Sequence, residues 1–271
     1  MKPRLQTSEL TLLGAGLVLL ALAVFAPALA QSSLHHDFAD HRAWLGIPCA
    51  LDVLSNLPFA LWGVAGLVAV RGAPVAVAQG AQRSMATLFF AGLIVTAAAS
   101  GVYHLRPDDA GLVMDRLGMV LPFAGLLGLA VADRVSNRAG VATGLTILVL
   151  GPLSVAVWAQ AGNVLPWAVV QFGGMLLVCG LALRQPVAAG LGIRLGLVVA
   201  VYALAKLMEL GDHQIYELTG RLVSGHSLKH LVAAFAAWPV ISAFSLSRSC
   251  VHNRSRSAAE ERRGISLPGK A

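Results

Sequence analysis

His226 and His230 stand four residues apart at the head of an apolar run, a spacing that turns both imidazoles to one face of a helix. Neighbouring imidazoles are ligands for a transition metal ion. Ser100 and His104 repeat that spacing near the end of an earlier run, and Asp115 follows after a short polar connection. So short a hairpin returns Asp115 to the depth of His104. Three imidazoles with a fourth position open form the ligand set of a catalytic zinc site, in which bound water has a pKa of about 7. Asp115 could take that water's proton, or instead fix the tautomer of an imidazole, while Ser100 could donate to a developing oxyanion. Taken singly, each histidine reads as an interfacial side chain bonded to water or lipid. Three at one depth beside an acid and a serine read as a site.

The elements that must position these residues follow from composition. The chain is 57% hydrophobic and 12% charged, against about 25% charged in soluble domains, and its mean hydropathy is +0.74. Such a chain belongs in a bilayer. Runs near the roughly 20 apolar residues that span a hydrocarbon core fall at about 10–30, 47–70, 84–104, 111–132, 141–160, 164–184, 191–210 and 226–247. Short connections join them into one all-α, polytopic transmembrane helix bundle. The division is residues 1–30 as an N-terminal helix or signal peptide, 31–247 as a seven-helix core, and 248–271 as a basic cytoplasmic tail expected to be disordered. Both fates of residues 1–30 stay open: Ala28-Leu29-Ala30 has the small-x-small pattern of a cleavage site, whereas the apolar stretch is long for a signal peptide.

The formal charge of +7 reports orientation rather than a nucleic-acid partner, because the basic residues alternate from connection to connection. Lys2, Arg4, Arg71, Arg83, Arg134, Arg138, Arg184, Arg194 and the tail lie on one side; Asp37, Asp40, Asp108, Asp109, Asp212 and Glu217 lie on the other. The positive-inside rule puts the first side in the cytoplasm, with the C-terminus. The histidine set then faces outward. Cys49, Cys179 and Cys250 fall at depths that forbid pairing within one chain.

Other polar residues have roles that the sequence leaves open. Segment 31–42 holds three histidines with Asp37 and Asp40, and reads either as a solvated outer loop or as a cation site. Asp52, Ser55 and Asn56, just before Pro58, face the bundle interior as hydrogen-bond partners between helices or as functional groups. Lys206 and Glu209, three apart, are placed to neutralise each other. Runs five and six, flanking Gly162-Asn163 with Trp158 and Trp167, carry almost nothing ionisable and serve as scaffold.

Ser100-x-x-x-His104, then Asp115, then His226-x-x-x-His230 resembles the S-x-x-x-H, D, H-x-x-x-H signature of the alkaline ceramidase superfamily, seven-helix membrane hydrolases that include the adiponectin-type receptors. Ser55-Asn56-Leu57-Pro58-Phe59, and Asp212 with Glu217 ahead of the last run, resemble the alkaline ceramidases in particular. The likeness covers about residues 37–247 and leaves the first run as an addition. It implies zinc on His104, His226 and His230, Asp115 as general base, Ser100 as oxyanion helper, and hydrolysis of ceramide or a related N-acyl lipid to a sphingoid base and a fatty acid. It equally admits a lipid receptor or sensor. A channel or transporter would spread its ionisable groups along a path, and here they cluster on one side. One departure concerns calcium: the eukaryotic enzymes have a glutamate six residues before the serine of the S-N pair, where this chain has Cys49. Asp37, Asp40 and Asp52 are the acids that could rebuild that second cation site.

Overall fold

The structure, a computed structural model, describes residues 5–245 apart from 76 and 79; the tail 248–271, Cys250, Lys2 and Arg4 lie outside the described residues. Helices follow one another as α1 (Thr7–Phe25), α2 (Ala50–Leu54), α3 (Leu57–Gly72), α4 (Ala81–Leu105), α5 (Asp109–Arg134), α6 (Asn137–Ala161), α7 (Leu165–Ala182), α8 (Leu195–Leu210), α9 (Asp212–Leu218) and α10 (Gly225–Phe235). No strand longer than an isolated bridge occurs among the described residues. The all-α bundle expected from the sequence is what forms.

Seven stretches among the described residues are long and apolar enough to cross a membrane: α1, α2 with α3, α4, α5, α6, α7, and α10 extended to Ser245. The remaining run of the sequence, α8, has 16 residues, about 24 Å at 1.5 Å per residue. It starts late because residues 185–194, with Pro186, Gly190 and Gly192, form an irregular connection. Successive helices nevertheless alternate in direction. Glu9 near the start of α1 meets Arg138 at the start of α6. Beyond the far end of α1, Leu29 N–H donates to Asn163 Oδ1 at 3.0 Å, where α6 gives way to α7.

Lipid-facing and core-facing surfaces separate cleanly. Leu17, Val18, Leu61, Val68, Val149 and Leu176 are each more than half exposed, which suits hydrocarbon and not water. Inside, Phe89, Phe90, Leu127, Leu129, Val178, Ile193 and Phe244 build the main core. The closest crossing is α4 on α5. A Cβ on Gly92 would lie 2.4 Å from Pro122 N, and one on Gly125 would lie 2.3 Å from Phe89 N. Small residues let the two backbones touch. Thr96 Oγ1 then donates across the seam to Gly118 O at 3.0 Å. This tight crossing fixes the register of His104, in the last turn of α4, against Asp115, in the second turn of α5.

Candidate metal centre

Two helix ends bring the imidazoles together. His104 lies in the last turn of α4, and His226 and His230 lie in the first turns of α10. Ser224 caps α10: its Oγ accepts from Ser227 N–H at 2.9 Å, while its hydroxyl donates to Asp52 Oδ1 at 3.2 Å. Ser227 Oγ donates to the same carboxylate oxygen at 2.6 Å. Asp212 Oδ1 accepts from His226 N–H at 2.7 Å, satisfying another free amide of the first turn. Gly225 admits this junction, since a Cβ there would stand 2.2 Å from Met208 O.

His104, His226 and His230 offer nitrogen atoms within 4.8 Å of one another, all buried, at 1%, 6% and 4% exposure. His104 Nε2 and His226 Nε2 are 3.2 Å apart. Tetrahedral ligands at zinc–nitrogen distances of 2.0–2.1 Å would be spaced about 3.4 Å; the His104–His226 pair is near that spacing and all three imidazoles offer nitrogens within 4.8 Å, so the group could hold a metal ion. Second contacts fix one tautomer. The Ser55 hydroxyl donates to Asp52 O at 3.0 Å, and its oxygen therefore accepts from His230 Nδ1–H at 2.8 Å. His230 Nε2 is left with its lone pair turned into the cluster. His104 Nδ1, by contrast, is buried without a hydrogen-bond partner. Ser55 thus takes the interhelical partner role that the sequence allowed, and it does so on one of the three clustered imidazoles.

Asp115 hydrogen-bonds the Ser100 side chain and lies in the field of Lys229. The hydroxyl that could face an oxyanion is therefore directed, at rest, to the carboxylate that could act as base. The sequence brought all five residues of the set to one end of the bundle, and the structure holds them there.

The proposed acids of a second cation site are not brought together. Asp40 is paired with Arg42, at 2.7 and 2.8 Å, within hydrogen-bond reach of Tyr216. Burial opposes its ionisation, yet the Arg42 guanidinium holds its carboxyl below the usual carboxylate range. Asp52 is committed to Ser224 and Ser227, and Asp37 is exposed beside His213. Among the described residues the three imidazoles form the one group of metal-ligand spacing.

Three neighbours of the centre were not singled out from sequence. Phe38 sets its ring 4.3 Å from that of His226, tilted by 57°, and 4.8 Å from that of His104, edge-on at 62°. The segment carrying it is tied down by Ala39 N–H to Asp212 Oδ2 at 2.9 Å, and by Arg42 Nη2–H to Leu222 O at 2.8 Å. Segment 31–42 thus forms a cover, packed over the centre at Phe38 and buried at Asp40, while residues 32–34, 37, 41 and 42 are exposed as a solvated loop would be. Tyr103 is the second, its hydroxyl 2.8 Å from His36 Nδ1, with His36 Nε2 3.0 Å from Asp109. The third is the link from Lys229 to Glu209 at 3.2 Å, in addition to the expected Glu209–Lys206 pair. No family model and no curated protein matches this chain.

Proposed function

We propose that the protein is a zinc-dependent membrane hydrolase that cleaves the amide of ceramide or a related N-acyl lipid, releasing an amine or sphingoid base and a fatty acid. The observation that carries this reading is the convergence of three buried imidazoles beside a hydrogen-bonded Ser100–Asp115 pair. His104, His226 and His230 would hold the ion, for which neutral imidazoles suit zinc. When bound, the ion supplies Lewis-acid activation of water and of the amide carbonyl. Asp115 takes the proton at its carboxylate and returns it to the leaving amine. The Ser100 hydroxyl, released from Asp115 as that carboxylate is protonated, turns to the developing oxyanion. Phe38 excludes bulk water and offers an apolar wall to the acyl chain. The alternation of basic connections in the sequence supports a centre towards the outer side and a cytoplasmic C-terminus, an orientation in which the lipid would enter laterally from the outer leaflet.

Zinc measured in purified protein is expected at one ion per chain and is lost in His226→Ala, His230→Ala; equal zinc in both sinks the assignment. One observation favours a second reading, a lipid receptor of the same superfamily: Phe38 closes directly over the imidazoles. A panel of N-acyl lipids separates the two. The hydrolase releases free fatty acid, and Asp115→Asn lowers that rate by about 10²–10⁴-fold. Lipid binding without turnover in the zinc-loaded wild type makes it a receptor.

A further inference from the structure

Lys229 Nζ stands 3.1 Å from His226 Nε2, the same nitrogen that faces His104 Nε2 at 3.2 Å. An ammonium has only protons to offer. His226 Nε2 is therefore the acceptor, and the lone pair a metal ion needs is the one the lysine uses. The same ammonium is 3.2 Å from Glu209 Oε1, at the end of α8, and the other Glu209 oxygen pairs with Lys206. Lys229 is thus shared between two acceptors on opposite sides, one a metal ligand and one a carboxylate. Its four-carbon stem carries the charge between them without backbone movement. A dication at the imidazoles repels that ammonium, and Glu209 is the acceptor to which it can retreat.

We infer that Glu209 is a positioning residue that draws Lys229 off His226 and so sets the affinity of the three-histidine centre for its metal. The inference rests on the metal-centre reading above. Lys206 holds Glu209 in place from the other side, so the row Lys206–Glu209–Lys229 works as a charge relay attached to one ligand. The chain keeps a cation beside a cation site because the Glu209 carboxylate, on the far side of the ammonium, makes the arrangement switchable.

The test is Zn²⁺ affinity of the full-length protein in detergent micelles, by competition with a chromophoric chelator at one fixed neutral pH. Glu209→Gln is expected to weaken binding by about 10–100-fold, the range for residues that orient metal ligands. Lys229→Met is expected to bind at least as tightly as wild type. In the Lys229→Met background Glu209→Gln has no further effect, and Glu209→Asp restores much of the wild-type affinity in the single-variant background. The inference is overturned if Glu209→Gln binds as wild type does, or if it costs the same factor with and without Lys229, which is what a merely structural role gives. Absence of zinc from wild type, or zinc retained by His226→Ala, His230→Ala, overturns the metal-centre reading itself. Failure of the relay alone leaves histidine-dependent binding intact.

Discussion

Buried charge sits at both ends of this bundle, and the two ends treat it oppositely. Asp133 and Arg134 at the end of α5 lie about 27 Å along the helix from Asp115, by the rise of 18 residues. There the polar atoms, Arg134 Nε excepted, are consumed by structure. Asp133 accepts from Gly192 N–H at 2.9 Å, from Ile193 N–H at 3.2 Å and from Arg134 at 2.6 Å, and Arg134 donates to Ile193 O at 2.7 Å. These bonds staple the irregular connection 185–194 to the bundle. At the other end three imidazoles converge, with nitrogens within 4.8 Å of one another, and they hydrogen-bond the side chains of Ser55 and Lys229. Bonds that close on backbone hold a fold together; nitrogens that converge on one another make a place for a ligand.

Substitutions sharpen that contrast. The largest expected effect on stability is at the stapled end: Asp133→Ala leaves Arg134 as a buried, uncompensated charge, at a cost of about 3–5 kcal/mol. Thermal unfolding in micelles reads this, and zinc content per folded chain stays unchanged. Loss of zinc with full stability would reverse the roles assigned to the two ends. Next is Ser55→Ala, which frees His230 to adopt the wrong tautomer. Zinc affinity falls by about 10–100-fold with little change in melting temperature; equal affinity would show that the Ser55 contact does not orient the ligand. The smallest effect concerns the cover. Burial, together with Arg116, pushes the His35 imidazole down to about 4. The folded state then binds fewer protons than the unfolded state, so the stabilisation is fully present above about pH 6.5 and fades as pH falls towards 4. The protection factors of the amides in segment 31–42, taken against the intrinsic exchange rate at each pH, are expected to fall between pH 7 and 5 in wild type and to change less in His35→Gln. Identical profiles would detach His35 from the cover.

The bundle and the histidine set were legible in the sequence because both rest on short-range rules. Apolar length gives the crossings, and i, i+4 spacing gives a shared face. What escaped depends on the path of irregular chain. Phe38 sits in a polar segment, and nothing in its neighbours announces that Asp212, 173 residues away, draws Ala39 over the site. The same blindness made Asp37, Asp40 and Asp52 look like one cation site, when Asp37 lies beside His213, Asp40 pairs with Arg42 and Asp52 accepts from Ser224 and Ser227. Asp133 drew no notice beside a basic connection, since its acceptor role is filled by amides of residues 192 and 193. Lys206–Glu209 was readable as a pair on one helix; Lys229 joins it only because α8 packs on α10.

Asp212 has two oxygens and gives one to each of two masters, the amide of Ala39 and the amide of His226. A pull on segment 31–42 is therefore a pull on the first turn of α10, transmitted through a single rigid carboxylate of about 2 Å span. Displacement of Phe38 and movement of His226 become one mechanical event. An asparagine at this position keeps one acceptor and loses the other, so it must release either the door or the hinge.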